Sequence, residues 1–127
     1  MSFEHVSIRA SDMDRSIDFY SNLLNMELQR RRDIPRNRAE IAFLKDPHDE
    51  FSLELTHYKD QKEFRQAEYM ERTFDHLAFK VEGLGGLVER IREEGFTVTD
   101  EPFELSPGNW LAFVEDPDGT LIELIQS

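Results

Sequence analysis

The sequence predicts an α+β fold made of two successive βαβββ units. The first observation behind this prediction is a repeated phrase, because Phe3-Glu4-His5 is matched by Phe74-Asp75-His76. The second is a longer match between IAFLKDP at residues 41–47 and LAFVEDP at residues 111–117. Each longer match leads into a segment with one glutamate, so that a His and a Glu lie 49 residues apart in the first half and 47 in the second. Internal repeats of this kind indicate a duplicated structural unit.

The first unit begins with a strand at residues 3–9, where apolar and polar side chains alternate. A helix follows, with Ser11 as its predicted N-cap and an apolar stripe at helical spacing. The stripe consists of Met13, Ile17, Tyr20 and Leu24. Three more strands are predicted at residues 26–32, 38–45 and 51–58.

The second unit repeats this order. Its first strand is predicted to start at Phe74, and a helix near residues 84–94 ends at Gly95, which tolerates the conformation of a C-terminal cap. Strands follow near residues 97–103, 109–115 and 121–126, the last two joined by the turn Asp116-Pro117-Asp118-Gly119. Residues 1–127 are therefore expected to form a single domain. Within it, repeat 1 covers residues 1–58, a linker covers 59–72 and repeat 2 covers 73–127.

The composition is typical of a folded globular protein, with 39% hydrophobic and 33% charged residues in a chain of 127. The formal net charge of -12 repels phosphate backbones and anionic lipid surfaces, so neither nucleic acid nor a membrane is expected as a partner. The absence of cysteine excludes disulfides, thiolate metal ligands and a cysteine nucleophile. No basic-then-apolar leader opens the sequence and no apolar run reaches the length of a membrane span, which predicts a cytoplasmic protein.

The repeated His and Glu residues are the candidate metal ligands. Side chains alternate between the two faces of a strand, and each of these four lies opposite the apolar residues that would pack on the helix. The four are His5, Glu54, His76 and Glu123. Two imidazoles and two carboxylates suit a divalent ion such as Ni, Co, Zn, Mn or Fe. For any one of them, a polar residue on a solvated sheet face is at least as good an interpretation, but their recurrence at matched positions favours a shared metal site.

Together with RSIDFY at residues 15–20 and FVEDPDG at residues 113–119, these residues make the whole chain resemble the glyoxalase I (lactoylglutathione lyase) family of the vicinal oxygen chelate superfamily. The bacterial ligand pattern of that family is His, Glu, His, Glu, which the four candidates match in order. The resemblance implies paired βαβββ units that form a curved mixed sheet around a cavity with one divalent metal per site, nickel or cobalt being favoured. It also implies a homodimer with sites at the subunit interface, and leaves open whether one chain or two supplies the ligands.

The implied activity converts the hemithioacetal of methylglyoxal and glutathione, or of another small thiol, into S-lactoylglutathione. A base removes a proton from C1, an ene-diolate forms, and a proton returns at C2. The resemblance assigns Glu123 as the leading base and Glu54 as its counterpart on the opposite face of the substrate. A divalent cation would stabilise the negative charge on the two adjacent oxygens of the intermediate.

Three further residues are candidate substrate contacts. Arg9 lies four residues after His5, and Arg72 lies four before His76, where both resemble the glutathione carboxylate contacts of the family. Tyr58 stands four residues after Glu54, at a position where relatives often carry Asn. The basic run at residues 29–38 is favoured as a solvated hairpin, although it could also attract an anionic substrate.

Two other functions fit the same superfamily. An acyl-CoA epimerase uses similar enolate chemistry but usually carries a neutral residue where Glu54 stands. A metal-free binding or resistance protein would bind small molecules through aromatic walls and would need no set of four ligands. The four ligands favour glyoxalase I over both alternatives.

Overall fold

A computed structural model describes residues 1–65 and 69–127, with the backbone alone at position 69. The chain divides into two compact units, Met1–Phe64 and Arg65–Ser127. The predicted linker at residues 59–72 lies partly outside the described residues, at positions 66–68. In the part of the chain that is described, no helix combines the length and the apolar character needed to cross a bilayer.

The first unit is a four-stranded mixed sheet with one helix. Its regular elements are β1 (His5–Arg9), α1 (Met13–Asp18), β2 (Glu27–Ile34), β3 (Ala39–Lys45) and β4 (Ser52–Tyr58). A π-helical turn, Phe19–Leu23, continues α1, and a short 3-10 helix, Pro35–Asn37, joins β2 to β3. The strand order is β1-β4-β3-β2, with β1 parallel to β4 and the other neighbours antiparallel.

The second unit has the same architecture. A 3-10 helix, Tyr69–Glu71, precedes β5 (Leu77–Lys80), α2 (Leu84–Glu93), β6 (Val98–Ser106), β7 (Asn109–Glu115) and β8 (Leu121–Gln126). The order is β5-β8-β7-β6, again with one parallel pair, β5 and β8. Because both sheets have the same strand order and connections, the predicted α+β fold of two βαβββ units is confirmed.

In each unit, alternate residues of the central strands form the core beneath the helix. In the first unit these are Ala42, Leu44, Leu53 and Leu55, each at most 3% exposed. Their counterparts in the second unit are Ala112, Val114, Ile122 and Leu124, each 0% exposed. Helix α1 contacts β3 and β4, and α2 contacts β6, β7 and β8. Since side chains alternate along a strand, the residues between these core positions lie on the sheet face that is turned away from the helix.

Some predicted details of the first helix were wrong. The N-cap is Asp12, not Ser11, because the Asp12 carboxylate accepts a hydrogen bond from the backbone N–H of Arg15, three residues later. The six α-helical residues are followed by the π-helical turn, which has more residues per turn than an α-helix. Phe19 in this turn is fully buried although the predicted stripe does not include it, whereas Ile17 from that stripe is only half-buried.

The first strand of the second unit starts later than predicted, at Leu77 instead of Phe74. Its partner strand β8 begins at Leu121, and the register pairs Leu77 with Ile122. Residues before His76 therefore have no β8 residue opposite them, and a ladder cannot extend to Phe74. His76 consequently lies immediately before the strand, not within it.

Candidate functional site

The first unit places His5 and Glu54 on neighbouring strands, on the face turned away from α1. His5 is paired with Ser52 of β4, and Glu54 is paired with Ser7 of β1. The rings of His5 and Phe43 form a T-shaped contact, with ring centroids 5.1 Å apart and planes at 85°. Phe43 is itself paired with Glu54 across β3 and β4. We call His5 and Glu54 the first half-site.

The second unit brings His76 and Glu123 into direct contact. The Nε2 atom of His76 lies 3.2 Å from Oε2 of Glu123, whose side chain is 17% exposed. The His76 ring meets Phe113 edge-on, with centroids 5.9 Å apart, and Phe113 is paired with Glu123. We call His76 and Glu123 the second half-site. It repeats the His, Glu and Phe arrangement of the first half-site.

The acidic residue before each His contacts the other ring nitrogen. Nδ1 of His76 donates to Oδ2 of Asp75 at 2.6 Å, and Nδ1 of His5 donates to Oε2 of Glu4. Metal-ligating histidines commonly place one ring N–H on a carboxylate, which leaves the other nitrogen for the ion. Sequence reasoning missed the role of these two acids, although the signal was present: an acid precedes the His in both copies of the repeated phrase.

The geometry of the second half-site fits two ligands of one divalent ion. Metal bonds of about 2.1 Å that meet at about 90–109° separate their ligand atoms by about 3.0–3.4 Å. The distance of 3.2 Å between Nε2 of His76 and Oε2 of Glu123 falls within that interval. Imidazole and carboxylate also match the donor types that such ions accept.

Glu54 and Glu123 differ in what holds them. The Thr56 hydroxyl donates to Oε1 of Glu54 at 3.3 Å and also contacts the Ser7 hydroxyl at 2.8 Å. The equivalent positions in the second unit carry Ile125 and Ala78, which have no hydroxyl. Glu54 is therefore restrained by a hydrogen-bonded pair of hydroxyls that Glu123 lacks.

Two of the three predicted substrate contacts meet in the first unit. The Arg9 guanidinium carbon lies 4.2 Å from the centroid of the Tyr58 ring, and Nη1 of Arg9 donates to Oε1 of Gln61 at 3.0 Å. Arg72 belongs to the second unit, where it is half-buried four residues before His76. Arg9 also lies on the same strand and the same sheet face as His5, because side chains separated by an even number of positions on a strand point to the same face.

The basic run at residues 29–38 divides into residues with different surroundings. Arg31 donates hydrogen bonds to Glu40 and Asp14. These bonds raise the pKa of the Arg31 guanidinium above its ordinary value, and the bond to Glu40 has the larger effect. Arg38 forms an ion pair with Asp60 at 2.8 Å. Arg30 instead stacks on Phe43, with its guanidinium carbon 4.4 Å from the ring centroid. The run is therefore neither uniformly solvated nor uniformly directed at one face.

Each unit offers a pair of candidate ligands. Among the residues that the structure describes, no group of three or more His, Asp or Glu side chains is placed to hold a metal ion. A single site made by all four candidates thus stays a prediction. His57 contacts the backbone oxygen of Ala10 through Nδ1 at 2.9 Å, and His48 is exposed in a turn.

The comparisons with known proteins are consistent across the whole chain. A model of the Glyoxalase/Bleomycin resistance protein/Dioxygenase superfamily matches residues 2–124. The chain is 36% identical to the lactoylglutathione lyase of Neisseria meningitidis serogroup A, over 99% of this chain and 91% of that relative. The trypanothione-dependent glyoxalase I of Leishmania major has a similar structure, with a TM-score of 0.80 and 32% identity over 99% of this chain and 86% of that one. Glyoxalase I from Zea mays gives a TM-score of 0.82 and 33% identity over 98% of this chain, which spans 44% of the maize chain.

Proposed function

We propose that this chain, which belongs to the Glyoxalase/Bleomycin resistance protein/Dioxygenase superfamily, is a metal-dependent lactoylglutathione lyase. It converts the hemithioacetal of methylglyoxal and a small thiol, glutathione being favoured, into the S-lactoyl thioester. The observation that carries this proposal is the second half-site, in which Nε2 of His76 and Oε2 of Glu123 lie 3.2 Å apart with Nδ1 of His76 held by Asp75. Full-length similarity to enzymes named lactoylglutathione lyase supports it.

His5, Glu54, His76 and Glu123 would hold one divalent ion per site, with Ni²⁺ or Co²⁺ favoured. The ion, when bound, supplies Lewis-acid stabilisation for negative charge on the two adjacent oxygens of the substrate. Glu4 and Asp75 hold the Nδ1 atoms of His5 and His76, so that Nε2 of each ring is the ligand atom. Ligands from both half-sites are needed, and we expect a homodimer with its sites at the subunit interface.

Glu123 is the base that moves the proton between C1 and C2 of the substrate. A carboxylate that does this must change position, and Glu123 has Ala78 and Ile125 at the strand positions where hydroxyls restrain Glu54. We therefore assign proton transfer chiefly to Glu123 and a mainly ligating role to Glu54. Glu54 serves as base for the opposite face of the substrate.

The thiol would be bound by Arg9, Tyr58 and Arg72. Arg9 stacks on Tyr58, which holds the guanidinium in place and leaves donors of its fork for a carboxylate. No redox cofactor is required, because the oxidation at one carbon balances the reduction at its neighbour. The reaction is one of small cytosolic metabolites, and we expect the protein in the cytoplasm.

The test is an assay of S-lactoylglutathione formation after complete metal removal and again after reconstitution with Ni²⁺, Co²⁺ or Zn²⁺. The apoprotein should be inactive and Ni²⁺ or Co²⁺ should restore turnover. Glu123→Gln should lower kcat by about 100-fold or more, which is the scale of general-base catalysis, and Glu54→Gln should lower it less. Full turnover in the stringently metal-free protein would contradict the proposal.

The same preparations separate the two other functions. Epimerisation of an acyl-CoA without lyase activity would favour the epimerase. Purified protein that binds no divalent metal, and whose melting temperature Ni²⁺, Co²⁺ and Zn²⁺ leave unchanged, would favour the binding protein.

A further inference from the structure

The sheet face that carries the first half-site is rich in arginine. Two rows of paired residues cross this face from β1 to β2. The first row is Ser7, Glu54, Phe43 and Arg30, and the second is Arg9, Thr56, Ile41 and Arg32. Arg30 therefore lies in the same row as Glu54, while Arg32 and Arg9 end the neighbouring row at opposite edges.

Arg30 is held at this position by an aromatic ring. Its guanidinium carbon lies 4.4 Å from the centroid of Phe43, which is 7% exposed and also contacts the ring of His5. A ring that binds a guanidinium by its face leaves the in-plane N–H donors for another acceptor. The next residue, Arg31, points to the helix side of the sheet, where its donors bind Asp14 and Glu40. Neighbouring arginines in one strand thus have different surroundings.

The second sheet does not repeat this positive face. Asp100 is paired with Phe113, as Arg30 is paired with Phe43. Glu115 likewise stands where the first unit has Lys45. The second sheet keeps a cation, Lys80, at the position of Arg9, but it has acids at the positions where the first sheet has Arg30 and Lys45. In a protein with a net charge of -12, a local cluster of cations is needed to attract an anionic ligand.

We propose that Arg30, supported by Arg32, is a specificity-determining residue that binds a carboxylate of the thiol substrate. The assignment rests on the proposed function and narrows the thiol to one that bears carboxylates. Adjacent strands are about 4.8 Å apart, so Arg9 and Arg30 start from strands about 14 Å apart. An extended tripeptide is about 10 Å long, and arginine side chains reach inwards from both edges. A dicarboxylate thiol such as glutathione can then be bound at both ends.

The test compares Arg30→Gln with Arg36→Gln, which removes the same charge from the same basic run but lies in the 3-10 helix Pro35–Asn37. With the glutathione hemithioacetal, Arg30→Gln should raise KM about tenfold with kcat within about twofold, because it removes a ground-state contact. Arg36→Gln should change KM by less than about twofold. Arg30→Lys should restore part of the affinity, since it keeps the charge but not the planar fork.

Two probes show whether the effect arises from a carboxylate. With the hemithioacetal of glutathione diethyl ester, which has both carboxylates blocked, the wild type and Arg30→Gln should have the same KM. In calorimetry, S-methylglutathione should bind the wild type about tenfold more tightly than Arg30→Gln. Equal KM values for Arg30→Gln and Arg36→Gln, or a tenfold penalty that persists with the diester, would overturn the assignment.

Failure of this assignment can be distinguished from failure of the proposed function. If the wild type has full lyase turnover and Arg30→Gln has the same KM as the wild type, only the role of Arg30 is overturned. A wild type without turnover that still binds S-methylglutathione about tenfold more tightly than Arg30→Gln would overturn the lyase and retain the carboxylate site.

Discussion

Replacing Asp75 with Ala should weaken the binding of Ni²⁺ or Co²⁺ while the protein remains folded. The Asp75 carboxylate accepts a hydrogen bond from Nδ1 of His76 at 2.6 Å, which orients the ring towards Glu123. Without that acceptor the imidazole can rotate and can exchange its proton between the two nitrogens. Binding the metal then requires the ring to be ordered again.

The expected loss is about tenfold in affinity. Removing the partner of a ligating His costs about 10–100-fold in metal affinity. The lower end applies because the Asp75 side chain is 73% exposed and that of His76 is 31% exposed, so water can replace the lost carboxylate. A tenfold loss corresponds to about 1.4 kcal/mol.

Isothermal titration of the apoprotein with Ni²⁺ measures this effect directly. Asp75→Asn should retain part of the affinity, because its amide oxygen can still accept the Nδ1 hydrogen bond. Glu93→Ala, on the exposed side of α2 in the same unit, removes one negative charge far along the chain from His76 and serves as the control. An equal loss for Asp75→Ala and Glu93→Ala would show that net charge matters and would refute the orienting role.

Two other predictions concern the same sheets. Thr56→Val removes the hydroxyl that donates to Glu54, and we expect metal affinity to fall by about fivefold, whereas Ile125→Val at the equivalent position should leave it unchanged. Equal titration curves for both variants would contradict the restraint of Glu54. Leu124→Ala removes a side chain that is 0% exposed and should lower the free energy of unfolding by about 2–5 kcal/mol in urea denaturation. A loss below about 1 kcal/mol would mean that the core beneath α2 is not packed as described.

Much of the fold could be predicted because both units carry the same local signals. The second helix was predicted at residues 84–94 and spans Leu84–Glu93, and its stop at Gly95 has a backbone φ of 91°. The turn predicted at Asp116–Gly119 closes through a hydrogen bond from the Gly119 N–H to the Asp116 carbonyl. Helical and strand periodicities and turn residues depend on neighbours in sequence, which a single chain displays.

The details that were missed depend on partners distant in sequence. The start of β5 follows from where β8 begins, and Phe19 is buried in a π-helical turn that has no clear sequence signal. The restraint of Glu54 by Thr56 and Ser7 requires the parallel register of β1 and β4, which join residues 49 positions apart. No pattern of alternating residues specifies that register by itself.

The doubled sequence alone establishes two units of one architecture, each with a histidine and a glutamate on the sheet face opposite its helix, because strand parity is a property of residue order. Tertiary structure decides which atoms meet: Nε2 of His76 with Glu123, Asp75 with Nδ1, and Arg30 with Phe43. The physical reason is range. The alternation of side chains along a strand and the spacing of residues along a helix depend on neighbours a few residues away. Ligand geometry and the charge around a site depend on paired strands that are far apart in the sequence.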